Sequence, residues 1–276
     1  SFIKNKNFKT ISTFHNVYSG NSYLKKIYNK QLSKVDQIVA ISNYVKNEIC
    51  TKYNLDSKKI KVINRGVDVN YFEKKILDSE IDKIINKFQI DTSKKLILYP
   101  GRLTNWKGQL EFLDIFYKLQ NNNYKLYFVG DTKNQSYTEK LQNKIHSLNL
   151  SHNCKIIGNL SRDDLKIFYH LSSIITSFPL QAEGFGRIIS EALIMKKKIL
   201  SFNYGGVKDQ LEKLDDIYKV DPHKYKDIDR KLQNILNLDD EKFFNISSKS
   251  KEYVSKLFSK SQMVKSYVDL YEQQSI

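Results

Sequence analysis

The chain has 276 residues, enough for two domains of ordinary size with a well-buried core. Its 46 Lys and Arg against 30 Asp and Glu give a net charge of +16, yet the lysines are spread along the whole chain without any RNP, zinc-finger or helix-turn-helix signature. That distribution argues against a nucleic-acid partner and reads as solvated surface.

In chain order, strand-like runs fall at about 8–14, 37–42 and 59–64, with helices at about 21–34 and 43–53 between them. Residues 65–92 read as a linker with its own short helix. Strands follow near 95–100, 124–130, 154–158, 173–178, 198–203 and 216–220. Helices near 108–120, 136–148, 162–171, 185–196 and 206–213 separate them, and helical patterns at 225–238 and 240–275 close the chain. Alternating strands and helices are the signature of parallel sheets with crossovers, so the fold class is α/β. No run reaches the roughly 20 apolar residues of a membrane span. Cys50 and Cys154 fall in a predicted helix and a predicted strand, which favours a reduced, cytoplasmic setting over a disulfide framework.

Two segments carry chemistry. In Glu183-Gly184-Phe185-Gly186-Arg187-Ile188-Ile189-Ser190-Glu191-Ala192, two carboxylates flank a glycine-rich loop that opens a helix. Glycines let backbone approach a ligand, the helix-opening N–H groups can face it, and carboxylates accept paired hydrogen bonds from neighbouring hydroxyls. Both carboxylates share one cleft only if the loop folds back over the helix start. The alternative is an ordinary helix start with two solvated glutamates. The second segment is the strand Lys95–Pro100, then Gly101-Arg102-Leu103-Thr104-Asn105-Trp106-Lys107-Gly108, then a helix. Strand, cationic glycine loop and helix make an anion cradle, with Arg102 and Lys107 expected on an exposed loop.

These pieces, in order with Arg65-Gly66-Val67-Asp68 and Phe72, Phe128-Val129-Gly130-Asp131 and Gly205-Gly206, resemble the retaining glycosyltransferases of family 4. The resemblance runs from residue 8 to about 215 and is most specific for the donor half. It implies a GT-B fold of two facing Rossmann-like parallel-sheet domains. The assignment is 1–75 for a partial N-terminal, acceptor-side domain, 76–92 for the linker and 93–260 for the nucleotide-sugar domain. Residues 261–276 are a last helix crossing back, with 262–274 the candidate segment. The first strand-like run resembles one from the middle of the family's N-terminal domain, so the opening strands and their glycine-rich loop are expected to be absent.

The resemblance also implies roles. A nucleotide-diphosphate sugar would lie between the domains with Arg102 and Lys107 on its diphosphate, and Glu191 would hold the ribose. Asn159 and Leu160 would touch the base. Glu183, Gly184, Phe185 and Gly186 would orient the sugar, and His15, ending the first strand-like run, would stand near it. The implied reaction is metal-independent, hexosyltransferase-type transfer with retention to a glycan or glycolipid of the cell envelope. No cofactor is expected beyond the nucleotide sugar as co-substrate.

Other signals are weaker. Asp227-Ile228-Asp229 mimics a metal-binding DxD but falls in a helix-like run, so no metal is expected. Lys4, Lys6, Lys9, Lys25, Lys26, Lys30 and Lys34 interleave with Tyr23, Leu24, Ile27, Tyr28 and Leu32, the pattern of a basic helix resting on an anionic membrane or, equally, of one packed on its own sheet. Two departures from the family stand out. Lys196-Lys197-Lys198 replaces a helix-ending glycine, and Asp209 stands where a glutamate commonly follows Gly-Gly. The competing readings are a catalytically inactive nucleotide-sugar-binding remnant or partner subunit, an epimerase or phosphorylase on the same fold, and, ranked low, a nucleic-acid binder.

Overall fold

A computed structural model describes residues 9–17, 27, 29–119 and 123–274. Half of the expected helix at about 21–34, and four of the seven proposed membrane-facing lysines, Lys4, Lys6, Lys25 and Lys26, lie outside the described residues. Among the described residues, no helix is long and apolar enough to cross a membrane.

Two parallel sheets organise the chain. The first joins β1 (Ile11–Phe14), β2 (Gln37–Ala40) and β3 (Ile60–Val62) in sequential order. The second has six strands: β4 (Lys95–Pro100), β5 (Tyr124–Val129), β6 (Cys154–Gly158), β7 (Ile174–Ser177), β8 (Ile199–Phe202) and β9 (Lys219–Val220). Their spatial order is β6-β5-β4-β7-β8-β9. Central strands of such a sheet are covered on both faces, which is why Leu96 to Pro100 and Ile174 to Ser177 are continuously buried rather than alternating.

The strand order locates the site. From β4 the chain steps outward through β5 to β6, then returns to pair β7 with β4 and steps the other way. A crevice opens outside the carboxyl ends of the strands where the order reverses, between β4 and β7. The loops leaving those two strands are 101–108 and 178–186, the segments singled out from sequence.

A buried aromatic ties these loops together. Tyr99 has its ring against Phe112, Phe128 and Phe178, donates its hydroxyl to the Lys107 carbonyl at 2.6 Å, and accepts the Phe178 N–H at 3.0 Å. Gly108, at φ +78°, lies where a Cβ would run into the Phe178 carbonyl, so only glycine fits that close approach.

The helical pattern over about 240–275 forms two helices, Asp240–Leu257 and Lys260–Gln274. The break has a backbone cause. Val67 donates to the Phe258 carbonyl at 2.7 Å and accepts from the Lys260 N–H at 2.8 Å, a bridge that takes that carbonyl and that N–H away from a continuous helical ladder. Beyond it, Met263, Tyr267 and Leu270 pack on Ile11 and Val39 of the small sheet and on Ile63 just past β3, and the Tyr267 hydroxyl lies 3.1 Å from Thr13 Oγ1.

Candidate functional site

The cleft outside β4 and β7 has a volume of about 660 Å³. His15, Arg102, Lys107, Asn159, Leu160, Glu183, Gly184, Phe185, Gly186 and Glu191 all line it. The two glutamates share the cleft because loop 178–186 folds back over the helix Arg187–Ile194, which Gly186 opens at φ +82°. Gln210 holds that fold by donating its amide to the Phe185 and Gly186 carbonyls. The Ile189 N–H is taken up by the Gly186 carbonyl at 3.1 Å, and the first N–H groups of a helix have no partner within it, which suits them to an anionic ligand.

One side of the cleft is cationic. Arg102 is exposed, and its carbonyl accepts from the Gln109 amide at 3.0 Å. Lys107 departs from the expected exposed loop: it is buried, ion-paired with Glu183, and its ammonium lies 4.6 Å over the Trp106 ring. The two side chains are only 11% and 10% exposed, so each neutralises a charge that water barely reaches. The reason is the Tyr99 anchor, which pulls the Lys107 backbone inward and aims its side chain across the cleft at Glu183.

Glu191 sits in a different environment. Its Oε2 accepts the Tyr169 hydroxyl at 2.9 Å, and Tyr169 is fully buried. Burial pushes the Glu191 carboxyl above its ordinary range, against the opposing effects of the Tyr169 hydrogen bond and the Arg187 and Arg162 charges.

His15 follows β1 and faces this wall from the first sheet. Its Nδ1 is 3.5 Å from the Arg65 guanidinium, and partial burial, then the Arg65 charge, hold its pKa below the ordinary imidazole value. The two sides meet closely here: a Cβ on Gly184 would stand 2.7 Å from the His15 carbonyl oxygen.

Sequence reasoning gave no site role to Arg65, Arg162, Arg187 or Tyr169, all of which line the cleft. Arg65 stood inside a quoted motif, and Arg187 directly follows Gly186, so both had a local signal. Arg162 opens the helix Arg162–Leu171 just after Leu160, and its guanidinium lies 3.8 Å over the Tyr71 ring of the linker. Tyr169 had no signal, because a tyrosine amid apolar helix residues reads as core.

The departures from the family pattern find local explanations. Lys196 adopts the left-handed conformation itself, at φ +52°, and the helix ends with Lys196 and Lys197 N–H groups on the Leu193 and Ala192 carbonyls, each at 3.0 Å. Asp209 is not a cleft residue. Its Oδ2 accepts the backbone N–H of Asn43 at 2.6 Å, joining the large domain to the start of the helix Asn43–Tyr53. Asp227 is paired with Arg230 at 3.4 Å. Among the described residues there is no group of three or more His, Cys, Asp or Glu side chains placed to hold a metal ion.

Comparison with known proteins is consistent with this geometry. The family model described as Glycosyl transferases group 1 matches residues 80–253, and that of Glycosyltransferase Family 4 matches residues 2–71. The crystal structure of a glycosyltransferase from Rickettsia africae superposes with a TM-score of 0.85 at 30% identity, covering 95% of this chain and 70% of that one. Anabaena HepE, solved in complex with UDP and glucose, shares the fold with a TM-score of 0.83 at 20% identity, covering 95% of this chain and 71% of that one. The capsular polysaccharide biosynthesis glycosyltransferase CapM of Staphylococcus aureus is 26% identical over 72% of this chain and 52% of its own length. The chain spans about half the length of several curated relatives it matches. With a mixed α/β fold of two parallel sheets, GT-B neighbours and a family match across most of its length, the chain belongs to the group 1 glycosyltransferases, with a family 4 segment at its start.

Proposed function

We propose that the chain binds a nucleoside diphosphate sugar in this cleft and, as a hexosyltransferase-type enzyme, transfers the sugar to a glycan or lipid-linked acceptor with retention and without a metal. The observation that carries the reading is the meeting of Arg65, Arg102, Lys107, Arg162 and Arg187 with Glu183 and Glu191 in one cleft at the point where the strand order reverses. A diphosphate needs concentrated positive charge, and a ribose or hexose needs carboxylate acceptors a few ångströms away; the cleft offers both.

In this reading Arg102 and Lys107 take the diphosphate and stabilise the charge that grows on it as the glycosidic bond breaks, the work a metal does elsewhere. Glu191 accepts from the ribose, and the backbone at Asn159 and Leu160 reads the base. Glu183 and the loop Gly184 to Gly186 orient the sugar as its anomeric carbon gains oxocarbenium character. His15 faces the sugar from the first sheet. The Lys107–Glu183 pair couples the two ends of the donor, since one ion-paired unit contacts both phosphate and hexose. Retention follows the family resemblance. An envelope polysaccharide as product is supported by likeness to the capsular enzyme.

Calorimetry with UDP, GDP and their glucose and mannose conjugates in the presence of EDTA tests the donor reading. Binding of at least one diphosphate, strengthened by its sugar, is expected. Silence toward all of them sinks the donor assignment, and binding that appears only with added magnesium sinks the metal-independent mechanism. Slow hydrolysis of the bound donor, followed by NMR, reports the anomer released and so the stereochemistry.

A further inference from the structure

The mechanism above leaves Tyr169 without a role, although it is a fully buried tyrosine whose hydroxyl reaches a cleft carboxylate. Its ring lies in the core beside Phe72 of the linker, with centroids 6.4 Å apart, so the hydroxyl is carried on a rigid support. The only groove-facing acceptor it meets is Glu191 Oε2, at 2.9 Å among the described residues. A carboxylate with one oxygen engaged by a fixed donor is restricted in orientation and keeps its second oxygen unengaged by that donor.

We propose that Tyr169 is the positioning residue of the ribose subsite: its hydroxyl holds one Glu191 oxygen so that the other is presented to the vicinal hydroxyls of a nucleotide ribose. This rests on the donor-binding reading above and adds to it a residue that touches no ligand. The arrangement suits the chemistry. A carboxylate held by an arginine in two-point contact would have a donor on each oxygen, whereas a single neutral hydroxyl orients it through one oxygen only. The charged groups facing Glu191 are Arg187 from its own helix and Arg162 from the helix that carries Tyr169, with Tyr71 of the linker beyond. Both arginines favour the ionised carboxylate, as does the Tyr169 hydrogen bond, and burial opposes it.

The test compares the parent chain, Tyr169→Phe, Glu191→Gln and the double mutant for UDP, GDP and the 2′-deoxy forms of each, across pH. The parent is expected to prefer the ribonucleotide over its 2′-deoxy form by about tenfold, the effect of one charge-assisted hydrogen bond. Tyr169→Phe should lower ribonucleotide affinity by about five- to tenfold, leave the 2′-deoxy form within about twofold, and move the acid-side loss of affinity to higher pH, because Glu191 then lacks the donor that favours its ion. A tyrosine that serves only packing would change both nucleotides alike and leave that midpoint in place, and such a result overturns the proposal. Should the single mutant melt because a buried carboxylate has lost its donor, the double mutant removes that charge. In the Glu191→Gln background, where the charge-assisted contact to the ribose is already gone, the Tyr169→Phe step is expected to change discrimination by no more than about twofold, and a larger loss there overturns the proposal. A parent chain that binds neither UDP nor GDP overturns the donor reading and this inference with it; a parent that discriminates while Tyr169→Phe does so equally overturns this inference alone.

Discussion

The cleft loop and the helix it opens each carry a carboxylate, and the two solve the same problem differently. Glu183 and Glu191 are separated by seven residues, and both are withdrawn from water. Glu183 is compensated by a full charge, the buried Lys107 ammonium, so each partner is costly to remove alone. Glu191 is compensated mainly by a neutral hydroxyl, with the Arg187 and Arg162 charges acting on it, and burial drives its pKa upward. A charge already paired is a fixed structural element that a ligand must accommodate. A charge held by one neutral donor is left hungry for further hydrogen bonds, which is the property a polyol subsite needs.

The largest effect should come from breaking the paired end. Lys107→Ala leaves Glu183 buried with no cation, and losing one partner of a buried pair costs about 3–5 kcal/mol. Urea unfolding of that mutant should show the loss, and Lys107→Met with Glu183→Gln should recover most of it. An unchanged midpoint for Lys107→Ala would mean that the pair is not formed in solution. Arg102→Ala provides the contrast, since Arg102 is exposed. Its stability should stay within about 0.5 kcal/mol of the parent. Its affinity for UDP or GDP should fall by about 1.5–3 kcal/mol, the contribution of a charge-assisted contact. Calorimetry showing no change would remove Arg102 from the phosphate site.

The difference between these two cations was not legible in the sequence, although the segments that line the cleft were. Order and spacing of the motifs were enough to nominate residues that all line one cleft, because strand ends and glycine loops have strong local signatures. Burial of Lys107 depends on Tyr99 pulling its backbone inward, a contact between a strand and a loop eight residues later that no periodicity reports. For the break at Phe258 and Ser259, the family resemblance set a last helix apart from about residue 261, but no local pattern supplied the cause. Nothing in the local composition ends the helix there; a long-range bridge from Val67 does. Lys196 shows the converse. The missing helix-ending glycine was visible, but not that a lysine would take the left-handed conformation and find support from Ser248, at 3.0 Å, and the Phe244 ring.

The hydroxyl-held end should respond to pH. Because burial raises the Glu191 pKa, the folded chain holds more protons than the unfolded chain between the ordinary carboxylate value and the raised one. Stability therefore falls as pH rises through that window, and the penalty is complete above the folded pKa. Glu191→Gln keeps an acceptor for Tyr169 and has no charge to desolvate. Its melting temperature should match the parent in acid and exceed it increasingly toward neutral pH, while nucleotide affinity drops. A temperature difference that is flat with pH would show that Glu191 does not carry this burial penalty.

The smallest effect should belong to Asp209, which sharpens the comparison because it shares the electrostatics of Glu191 without sharing the cleft. Burial raises its pKa as well, and its nearest donor is likewise neutral, the Asn43 N–H at 2.6 Å. Yet that donor opens the helix Asn43–Tyr53 beside the small sheet, so the contact acts as a cap supplied from another part of the chain rather than as a ligand site. Asp209→Asn keeps a side-chain acceptor for the Asn43 N–H and should change stability by no more than about 0.5 kcal/mol, whereas Asp209→Ala should cost about 1 kcal/mol, the usual loss of a helix cap. Neither should alter the preference for a ribonucleotide over its 2′-deoxy form. If Asp209→Ala did erase that preference, a desolvated carboxylate held by a neutral donor would matter through closure of the two domains rather than through contact with the ribose, and the distinction drawn between Glu191 and the rest of the molecule would fail.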